Sequence, residues 1–259
     1  MAEISLSYIN VAFGDHIALH DISFHIPQGQ FVSIVGPTGC GKSSILNVLA
    51  GLLKPAAGSV FTGGRELRSI NKEAAYMFQQ DALLPWKNCR ENVMLGPIFR
   101  GKARGEAAAD ALRWLERVGL AGFEKRYPSE LSGGQRKRVA MAQALINRLP
   151  ILLMDESFSA LDVQTRSLME NELLGMWAER RASVLFVTHD LEEAIALADR
   201  VVVLAAGPRS YPVCELMIDL PRPRDVAEIR LDPHFVALHA QIWHTLKEQV
   251  MVAHARAEG

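Results

Sequence analysis

Cysteine is scarce in this chain: Cys40, Cys89 and Cys214 are the three in 259 residues. None stands in a C-x-x-C pair, and an odd count predicts free, reduced thiols of the kind kept in the cytoplasm. An excess of either charge is also missing, with 28 basic against 29 acidic residues and a net charge of -1. That balance leaves no electrostatic footprint for a polyanion, so nucleic acid is not an expected partner. A pre-shaped loop can still hold a phosphate locally, because backbone amides need no global charge. Long apolar runs are absent too. No stretch approaches the roughly 18 uninterrupted apolar residues of a spanning helix. Residues 1–15 lack a basic segment leading into an apolar one. The expectation is a chain without a secretory leader, acting at any membrane through a partner.

What the chain does have is apolar mass, 49% of its residues, enough for one large α/β core or two small ones. Four short runs stand out: Phe31 to Val35, Ile151 to Met154, Val184 to Val187 and Val201 to Leu204. None alternates with polar residues, which is how strands buried on both faces of a parallel sheet read. Helical patterns between them predict an α/β class with right-handed crossovers. A long insert, about 80–149, separates the first two runs. Within it, Leu112, Leu115 and Val118 recur at helical spacing and Gly119 follows as a stop, so a mainly helical subdomain is expected. Residues 1–220 are read as one α/β domain. Beyond them, Pro221-Arg222-Pro223-Arg224 reads as an extended connector. It leads to a helical stripe of Phe235, Leu238, Ile242, Leu246 and Val250 in a C-terminal extension, 221–259.

Gly36-Pro37-Thr38-Gly39-Cys40-Gly41-Lys42-Ser43 fits G-x-x-x-x-G-K-[ST]. It follows a strand and opens an apolar helix, expected over Ser44 to Ala50. Its glycines let consecutive amides converge on phosphate oxygens at a positive helix end. Lys42 would bridge the β- and γ-phosphates and the Ser43 hydroxyl would ligate Mg²⁺. A plain glycine turn with an exposed lysine is the bland alternative, and the complete motif in its required context disfavours it.

The run Ile151 to Met154 ends in Asp155-Glu156. A carboxylate at the end of a buried strand is expensive to desolvate unless a cation meets it. Asp155 suits a Mg²⁺ shell, and Glu156 is placed to orient or deprotonate an attacking water. Acids that merely cap the next helix are the other reading.

Leu131-Ser132-Gly133-Gly134-Gln135 is by pattern a glycine-rich helix start, with the helix following over Arg136 to Ile146. Such a start offers unsatisfied N–H groups, a second phosphate site in a chain that already has one. Together with the phosphate loop, and in register between it and Asp155-Glu156, the pentapeptide resembles the signature of the ABC ATPase family.

That resemblance implies a P-loop NTPase core, a mostly parallel sheet with flanking helices, N-terminal antiparallel strands and an inserted α-helical subdomain. It implies a head-to-tail homodimer closing on ATP and Mg²⁺. In it Ser132, Gly133, Gly134 and Gln135 of one chain cover the γ-phosphate held by Gly36 to Ser44 of the other. Phe13 matches the aromatic that stacks on the base, against a core phenylalanine as the alternative. Gln79, in Tyr76-Met77-Phe78-Gln79, matches the glutamine that touches Mg²⁺, with Gln80 the neighbour it could be confused with. Ser159-Ala160-Leu161-Asp162 matches the loop that crosses the dimer interface and reaches the nucleotide through Asp162. His189, in Thr188-His189-Asp190, matches the switch histidine, with Asp190 and Glu193 expected to cap the next helix. The catalytic set is Glu156, His189, Gln79 and Lys42, and the metal set Ser43, Gln79 and Asp155. Two positions depart from the family pattern: Ser157 stands where Pro is usual, releasing Glu156 from an extended backbone, and Gln143 stands where Arg is usual.

Leu83-Leu84-Pro85-Trp86 and the run Asp219 to Arg224 are similar to the nitrate, sulfonate and taurine importer group of that family. The group implies integral-membrane permease subunits, an external solute-binding protein, and a place on the cytoplasmic face of the inner membrane. The Leu83 to Trp86 patch would be a socket for a permease helix, or a satellite core under the helical subdomain. The C-terminal stripe would cover the chain's own domain or its dimer partner. His234, His239 and His244 are five apart, about 140° on a helix, so with His254 they are not read as a metal site. Arg136-Lys137-Arg138 reads as a solvated or phosphate-adjacent face. The rival readings are an ABC exporter, a DNA-repair or chromosome ATPase, and a small-molecule kinase. The DNA-linked ATPases carry longer insertions, and a kinase leaves Leu131 to Gln135 and His189 unexplained.

Overall fold

The computed structural model describes residues 2–159 and 161–257. Two strands, β1 (Ile4–Phe13) and β2 (His16–Ile26), form an antiparallel hairpin. They are followed by β3 (Phe31–Val35), α1 (Lys42–Leu49), β4 (Ala57–Thr62), β5 (Arg65–Glu66) and β6 (Ala74–Met77). The inserted helices are α2 (Cys89–Phe99), α3 (Arg104–Arg117) and α4 (Gly133–Leu145). Then come β7 (Ile151–Asp155), α5 (Val163–Arg180), β8 (Ser183–Val187), α6 (Leu191–Leu197), β9 (Arg200–Leu204), β10 (Pro212–Met217), α7 (Val226–Ile229) and α8 (Pro233–Ala257).

The strands make two sheets. A four-stranded antiparallel sheet runs β2-β1-β4-β5, and a six-stranded one runs β10-β9-β3-β8-β7-β6. In the larger sheet every pairing is parallel except β9 with β10. The four apolar runs of the sequence are its four central strands. Packing covers both of their faces, so no polar alternation is possible. β6 and β10 went unanticipated because an edge strand is half covered and carries a weaker apolar signal. β10, for instance, has Glu215 amid partly exposed neighbours.

α1 lies between the two sheets, burying Ile45, Leu46 and Leu49 among Ile4, Ile9 and Ile34. Each such aliphatic side chain stabilises the fold by about 2 kcal/mol when taken from water. Helices α2 to α8 share the second core, on the other side of the large sheet. α3 begins two residues before Glu106 and ends at Arg117, with Gly119 at φ 68 turning the chain out of the helix.

The C-terminal stripe closes on the chain's own α/β unit. Phe235, Leu238, Ile242 and Leu246 are buried there, and Val250 packs at the margin. Two arginines anchor the connector. Arg222 donates to Asp199 and to Leu197 O, and its guanidinium lies 4.2 Å from the Trp177 ring. Arg224 is buried without a carboxylate and donates instead to five carbonyls, among them Ile195, Ala196 and Ala198 at the end of α6. Burial, then the neighbouring Arg222, brings its pKa down to about 10. These carbonyls are the ones a helix end leaves without partners. In α8, His234 Nε2 pairs with Asp219 Oδ1 at 2.6 Å, and the side chain of His254 lies outside the described residues.

Candidate functional site: the phosphate loop and the carboxylates beside it

β3 delivers the chain to Gly36, where a Cβ would come within 2.9 Å of Cys40 Sγ and 3.2 Å of Leu204. Only glycine lets the loop start this close to β9. Gly41 sits at φ 94 as the N-cap of α1, and a Cβ there would strike Leu19 at 2.6 Å. α1 thus starts at Lys42, two residues before the sequence expectation, because Lys42 and Ser43 already belong to its first turn. Cys40 is buried in the loop, and burial raises its thiol pKa. Lys42 is also buried, its Nζ donating to Gly36 O at 2.8 Å and Pro37 O at 3.0 Å. Thr38 and Gly39 are exposed at the rim, and Ser44 is half-buried in α1.

β7 brings Asp155 to this loop. Ser43 Oγ donates to Asp155 Oδ1 at 3.1 Å, although the two are 112 positions apart. Burial raises the Asp155 pKa, the Ser43 hydrogen bond opposes it, and Glu156 adds to the rise. A cation at this place would relieve that cost. Ser43 Oγ, Asp155 and the Gln79 amide oxygen are hard oxygen donors of the type Mg²⁺ prefers.

Glu156 follows in a left-handed turn, φ 43, with its N–H bonded to Val187 O at 2.8 Å. For a non-glycine residue this turn costs on the order of 1 kcal/mol. It turns the carboxylate off the strand end, where two side chains meet it. Gln79 Nε2 donates to Glu156 Oε2 at 2.9 Å, and His189 Nδ1 lies 3.3 Å from Oε1. Gln80 is exposed. Ser157, one of the two departures from the family pattern, is buried, and its Oγ has no hydrogen-bond partner among the described residues.

His189 stands on the turn after β8. Asp190 caps α6 as expected, accepting from the Glu192 and Glu193 amides. Glu193 departs from expectation: its side chain does not cap but is buried and accepts from Thr188 Oγ1 at 2.7 Å.

The signature helix begins at Gly133, three residues before Arg136, with Ser132 as its N-cap. Ser132 Oγ accepts from Gln135 N at 3.2 Å, and Gln135 Oε1 accepts from Ser132 N at 2.9 Å. This reciprocal capping box starts a helix on two glycines that propensity alone would leave open. Gly134 faces Leu161, its would-be Cβ 3.4 Å from Cδ2. Among the described residues no hydrogen bond joins 131–135 to the phosphate loop. Asp162 is the N-cap of α5, accepting from Thr165 N at 3.0 Å; Ala160 before it lies outside the described residues. Phe13 is 53% exposed at the tip of the β1–β2 hairpin, which excludes the core reading.

Arg136-Lys137-Arg138 is not a solvated face. Arg136 binds Asp81 and Leu131 O, and Arg138 binds the carbonyls of Val118 and Gly119. Lys137 is buried and donates to Phe78 O at 3.0 Å and Gln79 O at 2.7 Å. Burial lowers its pKa, opposed by Asp81, Asp155 and Glu156. The signal for Lys137 is its register: it shares one face of α4 with Met141 and Ala144, both buried.

A glycine loop between a buried strand and a helix, with Asp155 on Ser43, defines a P-loop nucleotide-binding protein. Comparison with known proteins carries this further. The family model described as ABC transporter matches residues 19–159. A putative ATP-binding protein of Brucella abortus is 40% identical over 247 residues, covering 95% of this chain and 94% of that one. An aliphatic sulfonates import ATP-binding protein of Pseudomonas syringae pv. syringae is 43% identical, covering 92% and 84%. The nitrate import ATP-binding protein NrtC of Synechococcus elongatus is 37% identical over 91% of this chain, which spans 36% of that longer protein. The solved dimer of the ATP-binding cassette MJ0796 bound to ADP and Pi superposes with a TM-score of 0.77 at 31% identity, covering 84% of this chain and all of that one. The chain belongs to the ABC transporter family, as one of its ATP-binding, ATP-hydrolysing cassettes.

Proposed function

We propose that this cassette powers an importer of a small solute, an anion such as nitrate, a sulfonate or taurine. The observation that carries the catalytic part is the convergence of Gln79 and His189 on the two oxygens of Glu156, beside the Ser43–Asp155 pair. The importer part is supported by relatives named for sulfonate and nitrate import.

In this reading ATP lies along Gly36 to Ser44 with its base on Phe13. Lys42 leaves the carbonyls of Gly36 and Pro37 for the β- and γ-phosphates, exchanging two neutral acceptors for charged ones. Ser43, Asp155 and Gln79 hold Mg²⁺, which when bound neutralises charge on the phosphate oxygens. Glu156 accepts a proton from the attacking water, and His189 steadies the γ-phosphate against it. One chain's Ser132 to Gln135 covers the γ-phosphate bound by a second chain, with Asp162 at the crossing. This gives the helix start of α4 an anion to serve.

No helix among the described residues is long and apolar enough to cross a membrane. In this reading the motion is handed to permease subunits at the cytoplasmic face. The place for that is a groove of about 710 Å³ between β6 and the helical insert. Tyr76 and Phe78 stack there with ring centroids 4.1 Å apart, Leu84 lines it, and Phe99 is exposed beside it. Leu83 packs into the core while Trp86 is 70% exposed, so Leu83 to Trp86 is part satellite core and part open socket. Gln79, one residue from Phe78, joins the groove to the nucleotide.

Uptake of labelled sulfonates, taurine, nitrate and pyrimidine precursors, compared between cells carrying the native chain and cells carrying Glu156→Gln, tests this. Selective loss of one solute supports import and names the solute. Native uptake of every solute removes the importer reading while leaving the ATPase intact.

A further inference from the structure

Glu170, in the middle of α5, has no exposed surface. It faces the C-terminal segment, where Arg230 Nη2 lies 3.3 Å from its Oε2. The same guanidinium reaches Glu192 Oε2 on α6, its Nε 3.4 Å away. One helical turn before Glu170, Arg166 Nη1 lies 3.2 Å from Asp190 Oδ2 and 3.6 Å from Glu193 Oε1. Glu193 accepts from Thr188 Oγ1 at 2.7 Å, and that oxygen accepts from Asp190 N at 3.0 Å. Two arginines and four carboxylates thus form two ion-paired groups, joined where the Glu192 N–H donates to Asp190 Oδ1 at 2.9 Å, and together they run from the C-terminal segment to the turn that presents His189.

The segment is held at both ends by neighbours on α5. Asn171 Oδ1 accepts from Val226 N at 2.9 Å at the start of α7, and Glu170 takes Arg230 just past its end. A buried carboxylate is tolerated when a cation meets it, and Glu170 Oε1 has no hydrogen-bond partner among the described residues. Among the described residues Arg230 is therefore the one that hydrogen-bonds the Glu170 carboxylate. Thr188 and Asp190, the residues flanking His189, are fixed by Glu193 and Arg166. The charges of those two act on Glu170 in turn, and the Glu192 N–H donates to Asp190 Oδ1.

We propose that Arg230 is a positioning residue for ATP hydrolysis. Through Glu170, Glu192, Glu193 and Arg166 it holds the 188–190 turn, so that docking of the C-terminal segment decides where His189 stands. The inference rests on the role given to His189 above and extends the site to a residue more than forty positions beyond it.

The test uses the purified full-length chain and its variants Arg230→Gln, Arg230→Lys, Arg230→Gln/Glu170→Gln and His189→Ala. Each is assayed for kcat and KM with MgATP, well below its melting temperature. A displaced catalytic group costs turnover more than binding. Arg230→Gln is expected to keep KM within about twofold and lower kcat by about tenfold. Arg230→Lys should recover much of that loss, and so should the double variant at a pH well above 8, where Glu170 without Arg230 would be an ionised buried carboxylate lacking its cation. A lower melting temperature with native kcat in Arg230→Gln would make Arg230 a rivet for α7 and nothing more, overturning the proposal. If Arg230→Gln does not fold, Glu192→Gln on the exposed rim replaces it: reduced kcat at unchanged melting supports the proposal, and native kcat refutes it. Native turnover in His189→Ala would remove the reading of the site itself. Lost turnover there beside native turnover in Arg230→Gln would remove this inference alone.

Discussion

The side-chain amide of Gln79 donates a 2.9 Å hydrogen bond to Glu156, across 77 positions of sequence. Gln79 follows β6 and Glu156 follows β7, and these strands are paired in parallel, Met77 beside Met154. Parallel register is what sets the two side chains at the same end of the sheet. Gln79 also follows Phe78, which lines the groove proposed for the permease.

Glu156→Gln keeps the side chain's shape and removes its basicity. The variant is expected to bind MgATP normally, to hydrolyse it at least about 100-fold more slowly, and to accumulate as a dimer. Phosphate release and light scattering with ATP check this; native turnover would take Glu156 out of the mechanism.

Lys42 is tied to Gly36 O and Pro37 O, within reach of whatever the loop holds. Lys42→Ala is expected to weaken ATP binding and turnover together, binding by roughly tenfold or more, since a charge-assisted contact to phosphate is lost. Calorimetric titration with ATP reads the first and a phosphate assay the second. Near-normal values for both would refute its role.

Lys137 holds the backbone of Phe78 and Gln79 from the signature helix. Lys137→Met fills the same space but orphans two carbonyls, a cost of about 1–3 kcal/mol. Both the melting temperature and kcat should fall, kcat because Gln79 loses its register against Glu156. A variant with lower melting and unchanged kcat would confine Lys137 to stability.

Glu170 gives a pH signature of known sign. Burial first, then Glu193, pushes its pKa up to about 8 from 4.5, with Arg230 and Arg166 opposing. Between those values the folded chain binds a proton that the unfolded chain has lost, so this group's contribution to stability falls as pH rises, by at most about 1.4 kcal/mol per unit. Glu170→Gln cannot ionise. Relative to the native chain it should gain little at pH 5 and most near pH 8, read from urea midpoints at each pH. A difference that is flat, or of opposite slope, would contradict the assignment.

Much of the site was legible without coordinates because its parts are local. The phosphate loop, the acids at the end of a buried run and the glycine-rich start of the signature helix each depend on backbone geometry encoded by a few contiguous residues. The central strands were legible for a related reason: burial on both faces removes polar residues from the run itself. The edge strands β6 and β10 were not, because half-covered strands keep a mixed sequence.

Tertiary structure alone decided who meets whom. Lys137 and its acceptors are 58 and 59 positions apart, and Arg230 and Glu170 are 60 apart. The register of Lys137 with Met141 and Ala144 marks the face it shares, but only the packing of α4 against β6 supplies the carbonyls it turns to. Local sequence carries what a backbone can satisfy within a turn or two. A buried charge must find its counter-charge or a carbonyl wherever the fold brings one, and that is settled only when distant elements close.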